Sequence, residues 1–523
     1  MTSRDDSRRI VNFRPMLSAA IGLAAGIAFC VRANAGFDTT GIKASLSAPL
    51  IIAACFFAVA AAVFGAYRRS RLLFVTAAFF LIGAARVMLA VPDAVTAVDC
   101  TVVGTVVDID MTPNSAGQRE AVLKNAYCGE KRLKYRVLVK LYAEDADRIE
   151  VGDRMSVICG SVRPTSSHRG VYNERLMKLA SGISEKAEAN QDGVRVLVKR
   201  AAPVRALAHA ARQRLSARID LVFGENAGVV SAFLLGIKDE IPEDVYDDMR
   251  DGGVAHLLSL SGFHVGVLTA LLLFVLPKGR RVLRFAVITA FLLVYCSVTG
   301  FGPSLVRASV MCACLLLADA VGRRSDTLSS LSLAAAILLL YDPFLLYSVG
   351  FCLSFAAVLG IALITSAGRP RVGGRIAQKT VPLLYGTVGA TAATALIVAR
   401  YFGKLYVCSI PANLLLAPLF SAAMTLSFIL LLLSFVSLPA ASALAFIPNR
   451  MIGLALTILR GINSLPYACI EAFTPSELSC VLMLVLLFCA SGYVLRGAKE
   501  KIRIALPVFA VFTASLIADI IRA

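Results

Sequence analysis

Residues 48–91 read APLIIAACFFAVAAAVFGAY-RRSR-LLFVTAAFFLIGAARVMLAV: two apolar runs, Ala48 to Tyr67 and Leu72 to Val91, joined by Arg68-Arg69-Ser70-Arg71. About 20 apolar residues of helix cross the hydrocarbon core of a bilayer, so each run is long enough to span it. A further run from Pro15 to Val31 follows a basic start containing Arg4, Arg8, Arg9 and Arg14. Ala33-Asn34-Ala35 behind it resembles a signal-peptide cleavage site, but more spans follow at once and a retained first helix is expected. Over all 523 residues, 58% are hydrophobic and 17% charged, against roughly 25% charged in globular proteins. With a mean hydropathy of +0.75, the chain is a polytopic α-helical membrane protein. Soluble, disordered, collagenous and small disulfide-rich classes are excluded. The net charge of +19 fits the excess of Lys and Arg in cytoplasmic loops as well as it fits a nucleic-acid partner.

Arginine clusters before the first run and at 68–71 belong in the cytoplasm by the positive-inside rule, so three crossings deliver the chain to the outside near residue 97. Residues 1–96 form an N-terminal group of transmembrane helices, and residues 97–200 change to the composition of a soluble module. Alternation from Leu133 to Leu141 is the period of a half-buried strand, and similar strands are predicted at Thr101 to Ile109, Glu120 to Tyr127, Ile149 to Cys159 and Val194 to Val198. Five short strands predict an inserted small β-barrel, OB-like and extracytoplasmic. A helix at Tyr172 to Ala180 falls before the last strand, later than in the usual OB order. Lys and Arg only slightly outnumber carboxylates in this module, a weak signal for DNA.

Ten of the thirteen cysteines sit in or beside apolar runs, where a thiol behaves as a small hydrophobe. Cys100, Cys128 and Cys159 share the barrel, and two of them are expected to form a disulfide there, the pairing left open. No CxxC occurs, so neither a metal site nor a cofactor is expected.

Residues 201–226 predict an amphipathic helix, with Val204, Leu207, Ala211, Leu215, Ile219 and Val222 at helical spacing and arginines on other faces. Such a helix lies on the bilayer surface or packs as a linker on the barrel. Asp239 to Asp251, with seven carboxylates, is expected as a solvated outer loop. Residues 227–523 form the main membrane domain. Basic clusters at 278–284, 323–324, 369–379 and 496–503 mark cytoplasmic turns between about ten further crossings, leaving the C-terminus outside.

Three polar breaks interrupt this domain. Gly252-Gly253-Val254-Ala255-His256-Leu257-Leu258-Ser259-Leu260-Ser261-Gly262-Phe263-His264 holds two of the four histidines, eight residues apart. On a continuous helix both rings would share a face, to line a wet cavity or to pack as satisfied histidines. Ser261 between them raises a serine nucleophile with a histidine base, without a GxSxG motif to support it. Thr299-Gly300-Phe301-Gly302-Pro303-Ser304-Leu305-Val306-Arg307 places an arginine just inside a span. Its fork of donors suits phosphate, or it pairs with Asp319 or Asp342. Ser409-Ile410-Pro411-Ala412-Asn413 through Pro418 is a third break, either a discontinuous helix of the kind that builds transporter sites or a kinked packing helix.

Taken in order, these segments resemble the ComEC family of DNA-internalisation proteins. The resemblance runs through Leu234-Leu235-Gly236, Gly253 to His264, Gly300-Phe301, Ser304 to Arg307, Asp342-Pro343, Phe351 to Ser354 and Pro411 to Pro418. It implies a channel in the cytoplasmic membrane that passes single-stranded DNA inward during natural transformation. It further implies an external DNA receptor and a cytoplasmic ATP-dependent motor, since no P-loop occurs in this chain. Many relatives of that kind carry a C-terminal metallo-β-lactamase-like domain; no HxHxDH motif occurs here, so a separate nuclease is expected and no enzymatic activity is assigned. The pathway residues expected from the three breaks are His256, Ser261, Gly262, His264, Gly300, Ser304, Arg307, Pro411 and Asn413. A transporter of a small or lipid-like solute and a membrane-embedded hydrolase are the alternatives.

Overall fold

The computed structural model describes residues 15–33, 68–92, 95–109, 117–146, 148–165, 174–199, 201–238, 240–322, 326–366, 375–466, 468–471, 473–494 and 498–522. The expected span from Ala48 to Tyr67 lies outside them. Among the described residues nine helices have the length and apolar composition to cross a membrane. Two precede the barrel, Pro15–Ala33 and Arg68–Ala90, and seven follow it, together with the shorter apolar helices Gly262–Val275, Thr327–Tyr341 and Glu477–Ala490. The protein is a polytopic helical membrane protein with an inserted barrel. The first two helices meet backbone to backbone: a Cβ on Gly26 would stand 1.9 Å from the Phe80 carbonyl oxygen, and one on Gly22 2.3 Å from that of Thr76. Small residues permit that approach, which is how helices gain contact where lipid supplies no hydrophobic drive.

The barrel strands are β1 Ala97–Ile109, β2 Gln118–Cys128, the two-residue β3 Lys131–Arg132, β4 Arg136–Tyr142, β5 Arg154–Pro164 and β6 Ile183–Val198. Around the wall the order is β1-β5-β6-β4-β2, and β2 closes on β1. Only β4 and β6 run parallel. This is OB-like topology with β3 as a hairpin extension. Val102, Val106, Leu123, Val137, Val139, Leu141, Met155 and Val157 fill the interior at 0% exposure.

Two strands differ from the sequence expectation. Ile149 to Gly152 precedes β5 rather than belonging to it, and Val194 to Val198 is only the end of β6. In the first half of β6 the inward positions are Ile183, Glu185, Ala187 and Ala189, so a buried carboxylate and two small residues blur the apolar alternation. The helix after β5, Glu174–Ala180, docks the barrel on the membrane domain: Leu176 and Leu179 join a core cluster with Phe344 and Phe351. Tyr135 Oη donates to the Ala90 carbonyl at 3.1 Å on the same seat.

The helix Pro203–Phe223 projects Val204 and Leu207 outward and buries Ile219, Val222 and Phe223 in the bundle. The acidic segment is not a loop but the helix Glu243–Asp251, since Val245 and Met249 supply a buried stripe one turn apart. Arg460 holds its outer face by pairing with Asp248 at 2.6 Å and Asp244 at 2.9 Å. Ala227–Leu235 is buried nearly all round at the centre of the largest core cluster. It ends at Gly236 with φ of 71°, a left-handed cap that glycine adopts without a Cβ penalty.

Candidate functional site

The histidine segment is not one helix. A 3-10 turn, Ala255–Leu257, carries His256, and the helix Gly262–Val275 starts only after Ser261. The two rings therefore do not share a helical face. Gly253, with φ of 69°, lies against Tyr406, where a Cβ would come within 2.8 Å of the tyrosine Cβ, so a side chain would not fit in the bend before His256.

Ser261 caps the new helix. Its N–H donates to His264 Nδ1 at 3.3 Å and its Oγ lies 3.3 Å from the same nitrogen, a capping box in which histidine takes the place usual for Glu or Gln. With Nδ1 accepting, the proton of the neutral ring sits on Nε2, an atom that has no hydrogen-bond partner among the described residues. The ring is fully buried, with Phe263 at 5.6 Å and Phe233 at 6.4 Å between centroids. A histidine committed to a cap is poorly placed as a base for Ser261, so this geometry favours a helix-starting role over hydrolysis.

His256 is exposed. Its ring reaches the Gly253 backbone and the Asn413 side chain. Asn413 Nδ2 donates to the Ser409 carbonyl at 2.8 Å, which leaves its oxygen for His256. The first and third breaks are thereby joined. The third is one helix, Ser409–Ser434, rather than a discontinuous pair. Pro411 lies in its first turn, where no intrahelical N–H is needed, and Pro418 is accommodated inside.

The second break is a turn in which Gly300 and Phe301 both take positive φ, 84° and 57°. The helix Pro303–Ala320 follows, with Ser304 half-buried in its first turn and Arg307 3% exposed. Arg307 Nη2 donates to Ser354 Oγ at 3.5 Å, while Nε and Nη1 have no partner among the described residues. Neither expected carboxylate pairs with it. Asp319 lies 3.7 Å from Arg281, and Asp342 accepts from the Phe344 N–H at 2.9 Å, capping the 3-10 turn Pro343–Tyr347. The guanidinium instead overlies the start of the helix Val349–Ser366, a turn of free N–H groups that also attracts anions. A Cβ on Gly262 would stand 3.9 Å from the Cβ of Ala308, next to Arg307, so the first two breaks adjoin although His264 and Arg307 have different neighbours.

Sequence reasoning missed the pair between Lys404 and Asp251 at 3.1 Å, which pins the acidic helix beside the histidine turn. No local signal marks it. In the barrel, Cys100, Cys128 and Cys159 come together as free thiols: β1 and β5 put Cys100 opposite Cys159, and Cys128 Sγ lies 3.2 Å from Cys100 Sγ.

A family model described as competence protein matches residues 233–496, just over half of the chain, and the match contains all three breaks. The chain belongs to the competence protein family. This competence protein is 30% identical over 199 residues to ComE operon protein 3 of Bacillus subtilis (strain 168), covering 38% of the chain and 25% of that relative. It is 26% identical over 211 residues to Competence protein ComA of Neisseria gonorrhoeae, covering 38% of the chain and 30% of the relative. An uncharacterised protein of Aquifex aeolicus (strain VF5) is 31% identical over 175 residues, 32% of the chain and 39% of that protein. The matched segments thus span well under two thirds of these relatives. No solved structure matches the chain significantly.

Proposed function

We propose that this competence protein forms the route by which one strand of DNA crosses the cytoplasmic membrane during natural transformation. Arg307 carries the reading. An arginine stays charged in a protein, and burying it in a membrane domain is expensive unless a partner or a wet cavity compensates. Here the guanidinium has two unpartnered nitrogens and no carboxylate among the described residues, as suits a group whose counter-charge arrives with each phosphate of a passing strand. His256 and Asn413 adjoin the route in this reading, the turn at Gly300 supplies irregular backbone of the kind tolerated at membrane depth only beside protein or water, and Ser304 and Pro411 stand in the first turns of two helices beside it. Ser261, Gly262 and His264 set the start of the neighbouring helix.

The barrel lies outside the cell in this reading, where an external receptor delivers DNA. A cytoplasmic ATP-dependent motor pulls the strand, and a separate nuclease removes its complement. A clean deletion with a complemented control tests the proposal. Labelled DNA should no longer become protected inside the deletion strain, while lipid composition stays unchanged. Undiminished uptake in the deletion overturns the reading, and altered lipids with normal uptake favour a lipid-like solute.

A further inference from the structure

The last paired rung between β2 and β4 is Leu123 opposite Val137. One step on, Lys124 and Arg136 stand side by side on the outer wall, the first exposed and the second half-buried. Like charges directly opposite one another in a sheet repel. On the same wall, Glu120 faces Lys140, the ordinary arrangement of opposite charges. A third cation joins the pair. The helix Pro203–Phe223 is tied to the barrel where the Ala202 N–H donates to the Gly152 carbonyl at 3.0 Å, and it brings Arg205 close enough that Lys124, Arg136 and Arg205 repel one another. Burial first, then this repulsion, lowers the proton affinity of Lys124 and Arg205, and no carboxylate among the described residues offsets it at either residue.

From Arg205 the same helical face continues to Arg212, two turns on. Between them His209 has Asp108 and Glu150 nearby. Arg212 Nη1 would lie 3.8 Å from a Cβ on Gly300, in the turn that leads to Arg307.

We propose that Lys124, Arg136 and Arg205 form a phosphate-binding seam that takes single-stranded DNA from the barrel wall along Arg212 toward the Gly300 turn. This rests on the DNA-passage reading above. Three cations gathered with no counter-charge among the described residues weaken the free protein, and a strand carrying one phosphate per nucleotide relieves the repulsion.

The test uses the purified full chain in detergent, a fluorescent oligothymidylate, and vesicles of anionic lipid. Lys124→Gln, Arg136→Gln and Arg205→Gln should each weaken oligonucleotide binding and flatten the slope of log affinity against log salt by about 0.7, the contribution of one phosphate contact on a single strand. Thermal unfolding of each variant should be unchanged or shifted upward, because repulsion has been removed. Lys140→Gln, on the same wall, should keep the wild-type slope. Wild-type slopes in the seam variants overturn the proposal, as does loss of vesicle binding with oligonucleotide binding intact, or a lowered unfolding temperature that accounts for the lost affinity. If the seam variants bind normally but the deletion abolishes uptake, the seam falls and the passage reading stands. If the deletion leaves uptake intact, the passage reading falls whatever the oligonucleotide result.

Discussion

The guanidinium of Arg307 lies directly over Gly350: a Cβ on that glycine would stand 2.7 Å from Nη2. An arginine on one helix therefore depends on the missing side chain of another for its position above a helix start. Arg307→Gln removes the charge and keeps most of the volume. DNA entry should fall about ten- to hundredfold, the worth of a charge-assisted hydrogen bond of about 1.5–3 kcal/mol, with membrane abundance near wild type. Gly350→Ala should reproduce the loss by pushing the guanidinium aside. Quantitative transformation with immunoblotting checks both, and loss of protein in parallel with uptake would show a structural role instead.

His256 and Asn413 should be energetically coupled, because one amide oxygen serves one ring. His256→Gln and Asn413→Ala, singly and together, form a double-mutant cycle on thermal unfolding in detergent. An interaction of about 0.5–3 kcal/mol is expected for groups in direct contact. Additive effects would separate the two breaks.

Burial and the neighbouring thiol push Cys100 up to about 12, and burial pushes Cys159 to about 12. Thiolate is the reactive form, so both residues should resist maleimide at pH 8 in the folded chain and react after denaturation. On oxidation, Cys100 should pair with Cys128, whose sulfur lies 3.2 Å away. Non-reducing peptide mapping reads the pairing, and a Cys100–Cys159 product or rapid native alkylation would contradict this packing.

Glu185 is 2% exposed inside the barrel, and burial raises its affinity for a proton above the ordinary value of 4.5 despite the Ser184 hydroxyl, Arg175 and Lys131. A raised carboxylate favours the folded state when protonated. Its ionisation therefore costs stability as pH climbs above the ordinary value, and the cost is absent below it. Glu185→Gln should raise the unfolding temperature at neutral pH and change it little below about pH 4. Destabilisation by the substitution at pH 7 would mean that the carboxylate is needed in its charged form.

For orientation, a cysteine introduced at Asn190, in β6, should react with a membrane-impermeant maleimide in intact cells once accessible native thiols have been replaced. Labelling only after lysis would place the barrel in the cytoplasm.

The membrane class was legible in residues 48–91 because a span must satisfy its own backbone in lipid, which demands a local apolar run that no distant contact can supply. The barrel showed for a similar reason, since Val137, Val139 and Leu141 face inward at a period of two while Arg136 and Lys140 face out, although Leu138 between them is buried as well. That signal failed at β6, where Glu185 faces inward. The three breaks were also visible, because glycine, proline and charge stand out in apolar sequence. How they are used was not visible. Whether His256 and His264 share a helix depended on where Ser261 caps, and whether Pro411 breaks a helix depended on its falling in a first turn. The partners of Arg307, the contact of His256 with Asn413, and the meeting of Lys124, Arg136 and Arg205 each join elements far apart in the chain. Composition and periodicity record what a residue needs from its surroundings, but only the packed chain decides which distant residue, if any, answers that need.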